Sequence, residues 1–354
     1  MTDAPGHLLF LTITLTYSPM VGPKQGSGVD AVVMQEFGGP EVLRWGSVPT
    51  PAARDGWVSV ELRASALNWH DVLVRQGRYG SPLPHVLGAD GAGIRTDTGE
   101  DVIVVPSLWW GDNESAPGEK WEILGDRRHG TYAEVVSVPA ECVVPKPRGL
   151  DWAQAAALPL VGLTTFRALF SRGRLRAGES VLILGAGGGV ATMAVTLAAA
   201  VGASVVVTSS TEEKIRQSVE LGAQGGVLYT DPAWPQAARA LSPGGRGYDL
   251  IIDSVGTWSD SIKALRPGGR LVVFGASRSE HVELDVRGFY FGQYELIGTT
   301  MGSPRDFSGL VSLLDERAVA PVPVGKVFPL SDAAQAHAFL EQGSGFGKVV
   351  LSHK

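Results

Sequence analysis

Residues 180–191 read Ser-Val-Leu-Ile-Leu-Gly-Ala-Gly-Gly-Gly-Val-Ala, and this stretch decides the fold. An unbroken apolar run from Val181 to Leu184 enters four glycines among five residues, then an alanine-rich segment reaching Val201. The pattern predicts a buried parallel strand, a tight turn and a helix. Glycine suits such a turn because backbone N–H groups must approach a pyrophosphate closely, with its charge held at the helix N-terminus. Gly185, Gly188 and Ala191 fit a Gly-x-x-Gly-x-x-Ala spacing, a variant of the dinucleotide fingerprint. A loop that merely turns the chain is the alternative, and the sequence downstream weighs against it.

A second strand–helix unit follows in register. Residues 204–208 (Ser-Val-Val-Val-Thr) form another buried run after a helix stop at Gly202, and residues 212–221 carry a helical pattern closed by Gly222. Short apolar runs recur at 227–229, 250–253, 271–274 and 296–298, separated by helical or Pro-Gly-Gly turn segments. Six strands alternating with helices predict an α/β fold with a doubly wound parallel sheet and a ligand outside the strands' C-terminal ends.

The chain is long enough for two domains, at 354 residues. A formal net charge of −6 without a basic cluster argues against a nucleic-acid partner. The single cysteine, Cys142, excludes an internal disulfide and any multi-cysteine zinc knuckle; its apolar neighbours predict a buried structural thiol. No apolar stretch reaches membrane-spanning length, and a cytoplasmic protein is expected. Residues 8–17 are apolar, but no Lys or Arg precedes them, unlike a signal peptide. Residues 1–28 are expected to be a disordered extension, or the product of a start assigned too far upstream, since a clean strand pattern begins at Val29.

From Val29 to about Leu150 the texture changes to short strands and many turns, as at 57–62, 101–105, 132–138 and 142–144. This predicts a compact, twisted β-barrel-like domain. Residues 322–330 and 346–351 look like further strands around a helix at 331–341, so this domain is expected to be discontinuous. The cleft between the two bodies is the expected active site.

Several motifs carry a resemblance. They are Phe37-Gly38-Gly39-Pro40-Glu41-Val42-Leu43, Leu67-Asn68-Trp69-His70-Asp71 followed by Arg75-x-Gly77-x-Tyr79, and Pro84-x-x-x-Gly88-x-Asp90-Gly91-x-Gly93. Gly162-Leu163-Thr164-Thr165, the glycine turn, Asp253-Ser254-Val255-Gly256 and Phe346-Gly347-Lys348-Val349-Val350 complete the series. In this order the chain resembles the medium-chain dehydrogenase/reductase superfamily, above all its zinc-free, quinone-oxidoreductase-like branch. The resemblance implies a GroES-like catalytic domain over residues 29–150, a Rossmann domain over 151–300, a return to the catalytic domain over 301–354, a nicotinamide cofactor and a homodimer or homotetramer. It also implies cofactor contacts from Gly185, Gly188, Gly189 and Val190, from Ser254, Val255 and Gly256, from Phe274 and Gly275, and from Phe346, Gly347 and Lys348.

The departures from zinc alcohol dehydrogenases bear on the chemistry. By that resemblance a catalytic zinc would require Cys where this chain has Asn68, His where it has Ala89, and a further Cys or acid where it has Leu160. The four-cysteine zinc lobe is replaced by a cysteine-free stretch over residues 106–125. Asp90 is better suited to structural hydrogen bonding than to serve as an orphan ligand. No metal site is expected. Negative charge developing on the substrate must then be met by hydrogen bonds, and conjugated acceptors that spread this charge onto oxygen fit such a site. The expected reaction is NADPH-dependent reduction of a quinone, enone or enal.

Asn68 is a candidate donor to substrate or nicotinamide ribose, or else a turn-stabilising residue. His70 is a candidate proton carrier, although a lone His is more often structural. Tyr79 offers a phenolic donor or a packed aromatic; Asp71 suits local ordering of its loop. Thr164 or Thr165 would touch the nicotinamide from the linker helix. Trp109, Trp110 and Trp121 suit a hydrophobic wall or ordinary packing. The second strand ends Thr208-Ser209-Ser210 with no carboxylate for a ribose 2′-hydroxyl. With Lys214 a turn later, these hydroxyls predict a 2′-phosphate site and NADP(H), unless Lys214 is merely solvated. Three other functions stay open: a zinc-free carbonyl or alcohol dehydrogenase, a nicotinamide-binding protein without fast turnover, and a methyltransferase using a similar glycine loop. The strand near 294–300 has no proline and little charge, which predicts an edge that pairs across a homodimer.

Overall fold

The computed structural model describes residues 28–317, 319–343 and 345–353. The extension expected over residues 1–28 lies outside these, apart from Gly28, which opens a strand.

The apolar run before the glycines becomes strand Ser180–Ile183, followed by helix Gly189–Ala200. It is a central member of a six-stranded, all-parallel sheet. From one edge the order is Gly225–Leu228, Ser204–Ser209, Ser180–Ile183, Tyr248–Asp253, Leu265–Val273 and Glu295–Gly298. Helices cover both faces, so Val181, Leu182 and Ile183 are buried, as an unbroken apolar strand requires. Chain order reverses between Ser180–Ile183 and Tyr248–Asp253, and the crevice at their C-terminal ends is where the glycine turn lies.

The second body is a seven-stranded sheet with the path Val324–Pro329, Lys348–Ser352, Trp57–Ala66, Asp90–Arg95, Asp101–Val104 and Val143–Pro145. Val135–Pro139 pairs with the first half of Trp57–Ala66, and Gly28–Val33 forms a separate ribbon with Arg44–Pro49. The C-terminal strand lies antiparallel to the strand that leads to Asn68, with Val350 opposite Ala66. That pairing brings Lys348 beside Asn68. Cys142 is buried in this body's core, where desolvation pushes its thiol up to about 12.

Helices Trp152–Ala157 and Pro159–Phe166 connect the two bodies. Asp151 caps the first through the Gln154 N–H. The cysteine-free lobe is fastened to the nucleotide-sheet side by polar contacts. Ser107 Oγ donates to the Gly302 carbonyl at 2.8 Å, and Ser303 Oγ donates to the Glu114 carboxylate at 2.6 Å. Buried Arg167 donates to Asp306 at 2.7 Å and to the Glu114 carbonyl at 2.8 Å, with its guanidinium 4.7 Å from the Trp110 ring centre. Among the described residues, no helix is long and apolar enough to cross a membrane.

Candidate functional site

The glycine turn is shaped for close approach. Gly187 has φ +104°, and a Cβ there would lie 2.9 Å from the Lys214 side chain; one on Gly189 would lie 2.7 Å from the Lys348 stem. Gly188 is the N-cap of helix Gly189–Ala200, and no side chain caps that helix end. Its first-turn N–H groups, with Val190 among them, are therefore available to an anion. Thr208 Oγ1 accepts from the Gly185 N–H at 3.2 Å and fixes the start of the turn.

Neighbouring loops are ordered around the same crevice. The buried Asp253 carboxylate accepts from the N–H groups of Val255 and Gly256 at 2.6 and 2.9 Å, which sets the Ser254-Val255-Gly256 turn. A Cβ on Gly275, after Phe274, would lie 2.8 Å from the Ser254 carbonyl, so these two loops meet backbone to backbone. Gly347, following Phe346, donates its N–H to the Gly187 carbonyl at 2.9 Å and stitches the C-terminal segment to the glycine turn. The residues present fit a dinucleotide.

At the end of the second strand, Thr208 and Ser209 are buried and locally bonded, while Ser210 is exposed. Lys214 lies across the turn with its stem against Gly187, and its ammonium donates to the Gly343 carbonyl. Burial holds that lysine below its ordinary range. Ser210 is thus the exposed hydroxyl at this strand end, Lys214 the cation beside it, already held by a backbone carbonyl, and Thr208 supports the turn.

A buried polar cluster joins the turn to the catalytic body. Lys348 Nζ donates to Asn68 Oδ1 at 2.6 Å and to Asp90 Oδ2 at 3.1 Å. The Asn68 amide donates to Asp90 Oδ2 at 2.9 Å and to the Ala66 carbonyl at 3.3 Å, so both ends of this amide are engaged. Asp90 Oδ1 accepts from the Leu160 N–H at 2.8 Å. Asp71 accepts from the Asn68 N–H at 2.7 Å and starts helix Trp69–Arg75; desolvation, opposed by that bond, raises its carboxyl to about 7. Asn68, Ala89 and Leu160 surround one carboxylate that already holds an ammonium, and an amide, a methyl and an isobutyl group do not make a zinc site. Among the described residues no group of three or more His, Cys, Asp or Glu is arranged to hold a metal ion.

In the first turn of the same helix, His70 meets Tyr79, which lies beyond the helix's end, edge to face with ring centres 4.6 Å apart. His70 Nε2 faces Asp126 Oδ1 at 3.8 Å, and both atoms are buried without a hydrogen bond. Desolvation lowers His70 to about 4 and raises Asp126 to about 6. Tyr79 is half-exposed, and burial with the nearby Asp126 raises its phenol. Thr164 is buried and donates to Met301 Sδ at 3.9 Å, while Thr165 Oγ1 donates to the Val190 carbonyl at 3.4 Å. The tryptophans divide. Trp110 is fully buried and Trp121 is tied to Ser107 Oγ at 2.9 Å, whereas Trp109 packs on Trp57 and Arg128, so no common wall forms.

One participant escapes the sequence reading, and another is read there for a different contact. Lys348 is foreseeable at the cofactor, but its ammonium turns away to Asn68 and Asp90, a partnership set by strand pairing across the whole chain. Asp126 belongs to no motif; only the fold of the loop from Leu124 to Gly130 places it against His70.

Comparison with known proteins gives a consistent set of likenesses. The family described as alcohol dehydrogenase GroES-like domain matches residues 54–148, and the one described as zinc-binding dehydrogenase matches residues 189–316. A zinc-type alcohol dehydrogenase-like protein of Schizosaccharomyces pombe is 32% identical, over 92% of this chain and 96% of its own. Quinone oxidoreductase of Rattus norvegicus is 31% identical, over 91% of this chain and 97% of its own. The crystal structure of an NAD-dependent alcohol dehydrogenase superposes with a TM-score of 0.86 at 38% identity, covering 92% of this chain and all of that one.

Proposed function

The chain belongs to the medium-chain dehydrogenase/reductase superfamily, in its quinone-oxidoreductase-like branch, and from that premise we propose a zinc-independent, NADPH-dependent reductase of quinones, enones or enals. The observation that carries this reading is the Lys348–Asn68–Asp90 cluster. It stands where the zinc enzymes of the superfamily place their metal ligands, and it offers an ammonium already neutralised by a carboxylate. A simple ketone needs a strong electrophile on its oxygen, whereas a conjugated acceptor delocalises the incoming charge and needs less help.

When bound, the nicotinamide cofactor supplies a hydride. The Gly185–Val190 turn and the open helix end would hold its pyrophosphate, Ser210 and Lys214 its 2′-phosphate, and the 254–256, 274–275 and 346–348 segments its remaining length. Asn68, fixed by Lys348, Asp90 and Asp71, shapes the floor of the site. His70 and Tyr79 are the proton-bearing groups beside it.

The likeness to an NAD-dependent alcohol dehydrogenase favours a second reading, a zinc-free carbonyl or alcohol dehydrogenase. A panel of quinones, enones, enals and simple ketones, followed by NADPH and NADH oxidation, separates the two. Turnover of conjugated acceptors well above that of ketones is expected. Equal or better turnover of ketones selects the second reading, and tight NADPH binding without any turnover selects a binding protein.

A further inference from the structure

Outside the cluster that faces the glycine turn, two buried titratable side chains among the described residues turn unpartnered atoms toward each other. His70 Nε2 and Asp126 Oδ1 are 3.8 Å apart, with side chains only 10% and 13% exposed. Each is a buried polar atom without a hydrogen bond. Such a group costs free energy unless satisfied. The gap is too narrow for a bridging water, which needs normal bonds to both atoms, and about 1 Å too wide for a direct bond. A small inward shift of the Leu124–Gly130 loop would close it.

We propose that Asp126 is a positioning residue for proton delivery, closing onto His70 Nε2 so that the imidazole supplies the proton that balances hydride transfer. This rests on the reduction proposed above. Hydride and its electron pair add to the acceptor carbon, the C=C π pair moves toward the carbonyl, and the oxygen gains negative charge. The oxygen–proton bond forms as the His70 Nδ1–H bond breaks, and the imidazole is recharged by solvent water.

Asp126 contributes in two ways. Accepting from Nε2–H fixes the tautomer and leaves Nδ1 as the ring's second proton site. Burial alone penalises both charged forms, holding His70 down at about 4 and Asp126 up at about 6. One proton shared between them relieves both penalties and brings the imidazolium into a range useful near neutrality. Other groups near the pair are few: the Tyr79 ring edge packs on His70, Arg127 favours the Asp126 carboxylate, and Glu122 opposes it. Unpaired catalytic groups are often long in the free enzyme and tighten on ligand binding.

The full-length protein with Asp126→Asn, Asp126→Glu and His70→Gln tests this. With an accepted enone or quinone, Asp126→Asn should lower kcat about tenfold or more, with KM changed less than about twofold and NADPH affinity retained. Asp126→Glu should restore part of the rate, and the Asp126→Asn/His70→Gln double variant should be no slower than the slower single. The isotope effect of deuterated cofactor should shrink and that of solvent grow. Independently of turnover, ¹⁵N-histidine NMR of the NADP⁺-bound protein should show an Nε2–H tautomer whose titration shifts at least one unit lower in Asp126→Asn. Unchanged kcat, or an unchanged His70 titration, overturns the proposal. A wild type inert toward the whole panel removes the reduction reading instead, while the NMR measurement still judges the pair.

Discussion

At the scale of single residues, the two ends of the cofactor give opposite kinds of test. Gly188 has ordinary extended dihedrals, φ −74° and ψ 155°, and a Cβ there would meet nothing closer than the Gly185 carbonyl at 3.7 Å. Gly188→Asp should therefore fold, and as a carboxylate at an N-cap it should not lower the melting temperature. The same carboxylate would occupy the helix end proposed to hold the pyrophosphate, so NADPH affinity should fall at least about a hundredfold, read by calorimetric titration. Retained affinity would place the pyrophosphate elsewhere. Ser210 is exposed at the end of its strand, beside the helix that carries Lys214. Ser210→Asp sets a charge against a 2′-phosphate but offers an acceptor to a 2′-hydroxyl. NADPH affinity should drop about tenfold or more with NADH unchanged or improved. Equal losses would move the 2′-phosphate pocket away from this strand.

At the scale of elements, legibility follows how local the determining forces are. The parallel strands are readable because burial on both faces demands continuous apolar residues, as in Val181 to Leu184, and because Gly202 and Gly222 punctuate the helices between them. Strand partners are not readable. Nothing near Val350 announces that it lies opposite Ala66, and the Lys348–Asn68 contact inherits that silence. The same holds for helix Ala333–Glu341, visible as a helix but not as the partner of helix Trp69–Arg75. Its His337 is buried between Arg75 Nη1, 3.2 Å from Nδ1, and the Tyr132 hydroxyl, 3.1 Å from Nε2. Arginine only donates, so Nδ1 accepts and Nε2 carries the proton. A second proton would face Arg75, and desolvation with that charge depresses His337 to about 3. The unfolded chain takes up this proton near 6.5 and the folded one does not, so stability is full above 6.5 and is lost as pH falls toward 3. Between pH 6.5 and 5 the loss from this one group is about 2 kcal/mol. His337→Asn keeps an acceptor for Arg75 but cannot titrate. It should be less stable than wild type at pH 7.5 yet lose about 2 kcal/mol less on acidification to pH 5, measured by urea unfolding at each pH. Parallel pH profiles would show that His337 is not held neutral.

At the scale of the whole molecule, the nucleotide sheet ends in a strand with an open side. Glu295–Gly298 is the last member of the sheet, and its only strand partner among the described residues is Leu265–Val273. The Thr299 N–H donates to the Val273 carbonyl. Because neighbouring residues in a strand point their backbone groups to opposite sides, residues 295, 297 and 299 face inward and Leu296 faces outward. Leu296 is also exposed, and the helix leading into this strand, Val286–Gly292, exposes Val286, Tyr290 and Phe291. A proline-free edge whose one charged residue is Glu295, beside apolar side chains, is an aggregation hazard unless covered. A second copy related by a two-fold axis would satisfy the free backbone groups and bury the apolar residues in a closed interface. The expectation is a homodimer in solution. Leu296→Pro removes an outward donor and leaves the ladder to Leu265–Val273 intact, whereas Ile297→Pro would cut the protein's own sheet and test nothing about assembly. Light scattering should give twice the chain mass for the wild type and a single chain for Leu296→Pro, with circular dichroism unchanged. A wild type that stays monomeric at micromolar concentration, or a Leu296→Pro variant that still dimerises, would mean that this edge is not the interface.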